Sequence, residues 1–260
     1  MKFNRKVKKV KKLSMMFVVL FALSFPAAVM AQEEEPVVFV FTTKALNMYM
    51  GTDGAPFYDG PVSQSDLFVL FPNGIYVDVW GSVGLDNFNP WNGFDDEVDV
   101  TFGWQTKVKG VSLDVGMSYF AIVDGGADLK DLFNPYVGFS WAAFEEKSRF
   151  NLAPYLKFEH YRPWSGDALH QGWQNRGGSD WSFKVNDWLS ISSRTGIFYD
   201  TGCFGFDRGW LSEIHGNLAI ALNDSVAVTP MFKWIRPIKG MSVREGTVAY
   251  GISISKTWKR

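Results

Sequence analysis

The stretch from Glu97 to Phe120 constrains this chain more than any other: two alternating runs joined by one tight turn. In the first run Glu97, Asp99, Thr101, Gly103, Gln105 and Lys107 share one face of a strand. Val98, Val100, Phe102, Trp104 and Val108 share the other. After Lys109-Gly110, Val111, Leu113, Val115, Met117 and Tyr119 alternate with Ser112, Asp114, Gly116 and Ser118. A period of two sustained over about ten residues means a strand with one apolar and one polar face. About ten residues is also what a tilted strand needs to cross a bilayer.

The same unit recurs along the chain. Twelve strands are predicted near 37–49, 62–70, 74–82, 96–107, 109–121, 133–145, 148–161, 179–185, 188–200, 210–222, 225–236 and 246–258. Their connections alternate in length. Short turns fall at Pro72-Asn73, Val108-Lys109, Glu146-Lys147, Asn186-Asp187 and Asn223-Asp224. Longer loops fall at 50–61, 83–95, 122–132, 162–178, 201–209 and 237–245. Short and long connections in strict turn are what an even-stranded barrel needs when both ends of its sheet lie on the short-turn side. A soluble sandwich has no reason to alternate so regularly. The fold class expected is all-β, an antiparallel up-and-down transmembrane β-barrel of about twelve strands.

The apolar faces should then look at lipid, since closed strands leave no other way to satisfy the backbone there. Phe150, Leu152, Leu156 and Phe158 form one such face, and Ile214, Leu218, Ile220 and Leu222 another. Val226, Val228, Phe232 and Trp234 form a third, and Val248, Tyr250, Ile252, Ile254 and Trp258 a fourth. Aromatics are 17% of the residues, and Trp80, Trp181, Trp188, Tyr199, Trp210, Trp234 and Trp258 fall near strand ends, as in interfacial girdles. The competing reading is a buried aromatic core in a soluble β-protein; the charged opposite faces argue against it. Pro154 and Pro230 each remove a ladder donor inside a predicted strand, so local bulges or displaced strand boundaries are expected there.

Residues 1–31 read as a secretory signal. Lys2, Arg5, Lys6, Lys8, Lys9, Lys11 and Lys12 make a basic start, Leu13 to Val29 an apolar stretch, and Val29-Met30-Ala31 a cleavage site before Gln32. An uncleaved anchor is the alternative; Pro26 and the acidic Glu33, Glu34 and Glu35 favour cleavage. Residues 32–260 are expected to form one outer-membrane barrel domain. The full chain has 26 basic and 27 acidic residues. Removing the seven basic residues of the signal leaves 19 against 27, a net charge of −8, which excludes nucleic acid as a partner. The single cysteine, Cys203, cannot form an internal disulfide, and its expected role is that of a small residue in a Gly-rich loop.

With the strands laid out, the chain resembles the Gcw-type conserved hypothetical barrels of Gram-negative outer membranes. The likeness is carried by Asn73-Gly74-Ile75-Tyr76-Val77-Asp78-Val79-Trp80-Gly81-Ser82 and by Glu97-Val98-Asp99-Val100-Thr101-Phe102-Gly103-Trp104. The architecture is also similar to small twelve-stranded porins for acidic oligosaccharides or nucleosides. The resemblance implies residence in the outer membrane, with its lipid and lipopolysaccharide as surroundings and a small hydrophilic solute as cargo.

No nucleophile-elbow, zincin, Walker or dinucleotide motif occurs, and His160, His170 and His215 lack metal-ligand spacing. No metal or cofactor is assigned. Asp124-Gly125-Gly126-Ala127-Asp128 looks like a fragment of a calcium loop without the full ligand set, and reads as a solvated acidic loop. A lipid hydrolase would need His and Ser together on the outer wall. His160 and Ser193 have the parity, but seven residues of height separate them by roughly 15 Å, so no catalytic residue is assigned.

The inward faces carry the better lead. Asp78, Glu97, Asp99 and Asp114 supply acidic lumen-lining residues. Arg149, Lys157, Lys184, Arg194 and Lys233 supply basic ones, interrupted by Glu159 and Glu213. The expectation is a passive, porin-like channel with opposite charges across its lumen. An occluded structural or binding barrel, filled by a salt-bridge network, is the alternative, and a lipid-active hydrolase the third.

Overall fold

The computed structural model describes residues 35–52, 54–85, 97–122, 131–144, 148–163, 171–203, 207–240 and 246–260. The expected signal segment and the acidic loop at 124–128 lie outside these residues. Twelve long strands are β1 (Val38–Leu46), β4 (Val62–Leu70), β5 (Ile75–Gly84), β6 (Glu97–Val108), β7 (Val111–Ile122), β8 (Leu132–Trp141), β9 (Phe150–Pro163), β10 (Gly172–Lys184), β11 (Leu189–Asp200), β12 (Gly209–Ala221), β13 (Val226–Lys239) and β14 (Thr247–Lys259). Two short ones, β2 (Tyr49–Met50) and β3 (Pro56–Tyr58), pair with each other inside the first long loop. Every long strand pairs antiparallel with its chain neighbour, and β1 pairs with β14, so the sheet closes on itself. The molecule is a twelve-stranded transmembrane β-barrel.

Closure removes both sheet edges and leaves no ladder group open to lipid. At the seam Val37 N–H donates to the Arg260 carbonyl at 2.8 Å, and Arg260 N–H returns to the Val37 carbonyl at 3.0 Å. Along the wall Phe102, Val115, Met117, Phe139, Leu156, Ile191, Leu218, Phe232, Ile252 and Ile254 are exposed and share the outward parity. That is an apolar band, not a defect of packing: its solvent is hydrocarbon. Aromatics fringe it at both ends. Trp104, Trp141, Trp188 and Trp258 lie toward the short turns, and Trp173, Tyr199 and Trp210 toward the long loops. Trp80 departs from the expected girdle. It pairs with Asp66 and Asp99 on the inward face and packs against Tyr49.

Val108 pairs directly with Val111, so Lys109 (φ 50°) and Gly110 (φ 84°) form a two-residue turn with both central residues left-handed. This is the turn whose twist matches that of the flanking strands. In three others an asparagine Oδ1 accepts the backbone N–H two residues on: Asn73 from Ile75 (3.1 Å), Asn186 from Trp188 (3.0 Å) and Asn223 from Ser225 (2.9 Å). The Asn223 Oδ1 also accepts from Val226 N–H at 2.9 Å and from the Ser225 hydroxyl at 3.0 Å. Asn223→Ala is therefore expected to lower stability by about 1–2 kcal/mol, read as an earlier urea midpoint for unfolding from lipid vesicles. An unchanged midpoint would mean that water replaces all three bonds at no cost.

Three boundaries differ from expectation. β8 stops at Trp141 and β9 starts at Phe150, so this connection is longer than the tight turn expected at Glu146-Lys147. β10 starts at Gly172, which takes the first half of the strand out of the expected loop 162–178. Neither proline makes a bulge: Pro154 faces Ser179, and Pro230 faces Ile252, in unbroken register. Each proline instead interrupts the ladder on its other side. The β8 ladder ends at Ser140–Tyr155, and the β12 ladder skips from Asn217–Met231 to Ile220–Val228 without changing register. The wall's register shift lies between Trp210 and Leu211, opposite Ile238 and beside Pro237.

Candidate functional site

The inward parity of the twelve strands delivers most of the chain's buried charge to one lumen, and the first long loop folds into it. That loop, residues 47–61, touches three sides of the wall. Tyr49 donates to Glu97 and packs on Trp80; the Thr52 carbonyl accepts from Arg176; the Gly51 carbonyl lies 3.3 Å from the Lys233 Nζ. Tyr161 donates to the Thr52 hydroxyl at 3.3 Å. Met50 enters an apolar cluster with Phe198, Leu211, Ile235 and Ala249. Contacts on β5 and β6, on β9 and β10, and on β12 to β14 mean that the loop crosses the lumen rather than lying along one wall.

Arg176 on β10 holds the crossing together. Its Nε donates to Glu159 at 2.9 Å, its Nη1 to Glu213 at 3.0 Å, and its Nη2 to Gln174 and the Thr52 carbonyl. The guanidinium plane lies 4.1 Å over the Phe198 ring. With side-chain exposures of 9%, 7% and 3%, Arg176, Glu159 and Glu213 form a buried triad, further braced by Lys157 at 2.9 Å from Glu159. Desolvation of this kind is tolerated only when the charges are paired and their remaining donors and acceptors are used. Here the geometry meets that condition.

The two charged arcs differ in how far they are neutralised. On β4 to β7 Asp66, Asp78, Glu97, Asp99 and Asp114 face inward, and Lys44 reaches Asp66 at 3.9 Å. Asp114 accepts from Tyr76 at 2.7 Å, while one carboxylate oxygen on each of Asp78 and Asp99 is buried without a hydrogen-bond partner. On β9 to β13 cations and carboxylates interleave. Arg194 grips Asp180 with two bonds, 2.7 and 2.8 Å, and stacks 4.6 Å over Tyr155. Lys157 sits 4.5 Å over the Tyr136 ring.

Asp78, Glu97, Asp99, Asp114, Lys157, Arg194 and Lys233 all stand on inward positions of their strands. Lys184 shares that parity but stands at the end of its strand, and Arg149 lies just outside a strand, so neither is at mid-wall. Arg149 precedes β9, its carbonyl accepting from Lys184 N–H at 2.8 Å, and Lys184 ends β10, pairing with the fully exposed Asp187 at 2.8 Å. Lys184 holds the Asp187 carboxyl below its ordinary range by hydrogen bond and charge. Both cations therefore mark the short-turn mouth.

Arg176, Gln174, Asp180 and the loop residues Tyr49 and Thr52 were invisible to the sequence reading. The outward face of β10 carries Asn175, Gly177 and Ser179 between Trp173 and Trp181, so its first half has no apolar alternation to detect. The inward series Gln174, Arg176, Asp180, Ser182, Lys184 was the available signal. A cavity of about 330 Å³ opens beside Asp180 and Arg194, on the short-turn side of the Arg176 triad.

The outer wall offers no catalytic pair at the positions considered. His160 stacks on Trp173 at 4.4 Å, whereas Ser193 pairs with Trp181. Their partners stand eight residues apart on β10, about 26 Å at ~3.3 Å per residue, more than the parity argument allowed. His170 lies outside the described residues, and among the described residues no cluster of His, Cys, Asp or Glu is arranged to hold a metal ion. Cys203 is fully buried, its N–H donating to Asp200 at 2.8 Å.

No protein-family model matches the chain. No curated protein matches it either. Among solved structures the chain is similar to the NanC porin, with TM-score 0.56, 13% identity, and 83% of this chain and 98% of that one covered. It is similar to the KdgM porin at TM-score 0.53 and 11% identity, covering 85% and 99%. An outer-membrane channel of Pseudomonas putida F1 follows at 0.50 and 6%, covering 88% and 98%. At these identities the likeness shows the shared barrel. The resemblance to Gcw-type proteins finds no support in these comparisons.

Proposed function

We propose that the protein is an outer-membrane channel that passes small hydrophilic solutes by diffusion through a lumen narrowed by the loop at residues 47–61. The observation that carries this reading is the content of the barrel. Its interior holds rows of charged and hydroxyl side chains around an open cavity of about 330 Å³, space that an occluded barrel would close with its salt-bridge network. The porins of the same architecture support it, one of which has been solved in complex with oligogalacturonate. Residues 1–31 would then direct export and be removed, the band of outward apolar residues would meet outer-membrane lipid and lipopolysaccharide, and the long loops would face the exterior.

Single-channel recording from the purified protein in a planar bilayer tests this. The expected record shows stepwise openings at low voltage, with cations favoured because the β4 to β7 carboxylates exceed the cations beside them. A second reading has its own observation: the loop is tied to three walls, and an occluded binding barrel would be silent in the same experiment.

A further inference from the structure

We propose that the cavity beside Asp180 and Arg194 is a binding subsite for uncharged polyhydroxyl solutes, the class of neutral mono- and disaccharides. The inference rests on the channel reading for the route by which solute reaches the cavity. Its basis is a two-rung lattice on the inner wall of β9 to β12. The lower rung is Asn151, Ser182, Ser192 and Asn217, each directly opposite the next across the ladders. The upper rung places Asp180 opposite Arg194. Strands stand about 4.8 Å apart and alternate residues about 6.7 Å, so the patch covers roughly 14 by 7 Å. Hydroxyls along a sugar ring need donors and acceptors at such intervals, and the lower rung offers both from every side chain. The space, about 330 Å³, suffices for a sugar or the waters it displaces.

Charge decides the class. Arg194 lines this patch opposite His215, and both its side-chain bonds at 2.7 and 2.8 Å go to Asp180, while its plane rests on Tyr155. An anion that accepts from the remaining N–H groups of Arg194 would lie beside the Asp180 carboxylate, whose repulsion offsets the attraction. A neutral solute meets a paired ion couple whose outer lone pairs and N–H groups remain available. Among the lower-rung residues, Asn217 Nδ2 donates to Ser192 Oγ at 3.3 Å, a long bond that a ligand hydroxyl can replace.

Calorimetry on the barrel in amine-oxide micelles, which carry no sugar headgroup, tests the proposal without requiring conduction. Maltose should give saturable heat, with glucuronate and glycine betaine at least about tenfold weaker, the difference that one lost or unmatched hydrogen-bonding interaction produces. Asn217→Leu should weaken maltose by about tenfold while the unheated band keeps its folded mobility. If that variant does not fold, Ser192→Val must show the same loss, and the three-ligand comparison needs no variant at all. Equal or tighter binding of glucuronate or betaine overturns the assignment, as does absence of heat with maltose. Silence in a bilayer together with intact maltose binding would overturn the channel reading and leave the subsite standing.

Discussion

Replacing Arg176 with methionine is expected to destabilise the barrel by about 3–5 kcal/mol and, where the variant folds, to enlarge its conductance. The stability loss comes from Glu159 and Glu213, whose 7% and 3% exposed side chains would be left buried without the guanidinium between them. Lys157, 2.9 Å from Glu159, offsets part of that cost, while Glu213 keeps the Tyr155 hydroxyl at 2.7 Å and His215 at 3.5 Å. The conductance change comes from the Thr52 carbonyl, which loses its Arg176 donor. The two effects separate in the triple variant Arg176→Met/Glu159→Gln/Glu213→Gln. Neutralising the whole triad should recover most of the stability while the loop stays released. Urea midpoints in vesicles and single-channel amplitudes read the two quantities independently. A single variant as stable as the parent would show that the carboxylates are solvated by water the triad does not exclude.

The second large effect concerns ion preference. Asp66→Asn together with Asp114→Asn removes two inward charges from the acidic arc on β4 to β7. An ion about 8 Å from a carboxylate, at an effective dielectric of about 40–80, feels about 0.5–1 kcal/mol from it. Two such charges favour a cation in the lumen by roughly fivefold to thirtyfold at low salt and disfavour an anion by a like factor, and screening reduces both at high salt. The reversal potential in a salt gradient should therefore move toward zero in the double variant. By contrast, reversing Arg194 and Lys233 to Glu disturbs an ion pair and a loop contact as well as a charge, so its result mixes structure with field. No shift in the double amide variant would remove the acidic wall from the ion path.

Strand number, closure and the inward parity of Asp78, Glu97, Asp99, Asp114, Lys157, Arg194 and Lys233 were legible in the chain because each rests on a period of two. A one-residue slip would put every one of these side chains into lipid, so the pattern has little freedom. What periodicity cannot encode is a return of the chain through the barrel. Tyr49, Gly51 and Thr52 belong to an irregular loop, and their partners Glu97, Lys233 and Arg176 are distant in sequence. The transverse split of charge expected from the list of residues was altered by the same blindness. Asp180 lies on the half-recognised strand β10, and its bidentate bond to Arg194 neutralises the basic arc where the sequence reading left it bare.

Trp80 and the prolines show the other limit. An aromatic near a strand end reads as a girdle residue on composition, but its position on the same face as Asp78 and Ser82 places it in the lumen, against Tyr49. Pro154 and Pro230 keep register because each forfeits its hydrogen bond on one side only, where the neighbouring ladder ends or skips.

The central claim is that the barrel conducts and that the loop at residues 47–61 sets its aperture. Leu46 and Val62 are directly paired, so that loop can be replaced by Asn-Gly, joining β1 to β4 as Lys109-Gly110 joins β6 to β7. Single-channel amplitudes of the intact and shortened proteins, recorded side by side in the same bilayer and salt, are the most direct test. The account predicts openings from both, with larger steps from the shortened barrel. Silence from both proteins, or equal steps from the two, would contradict it.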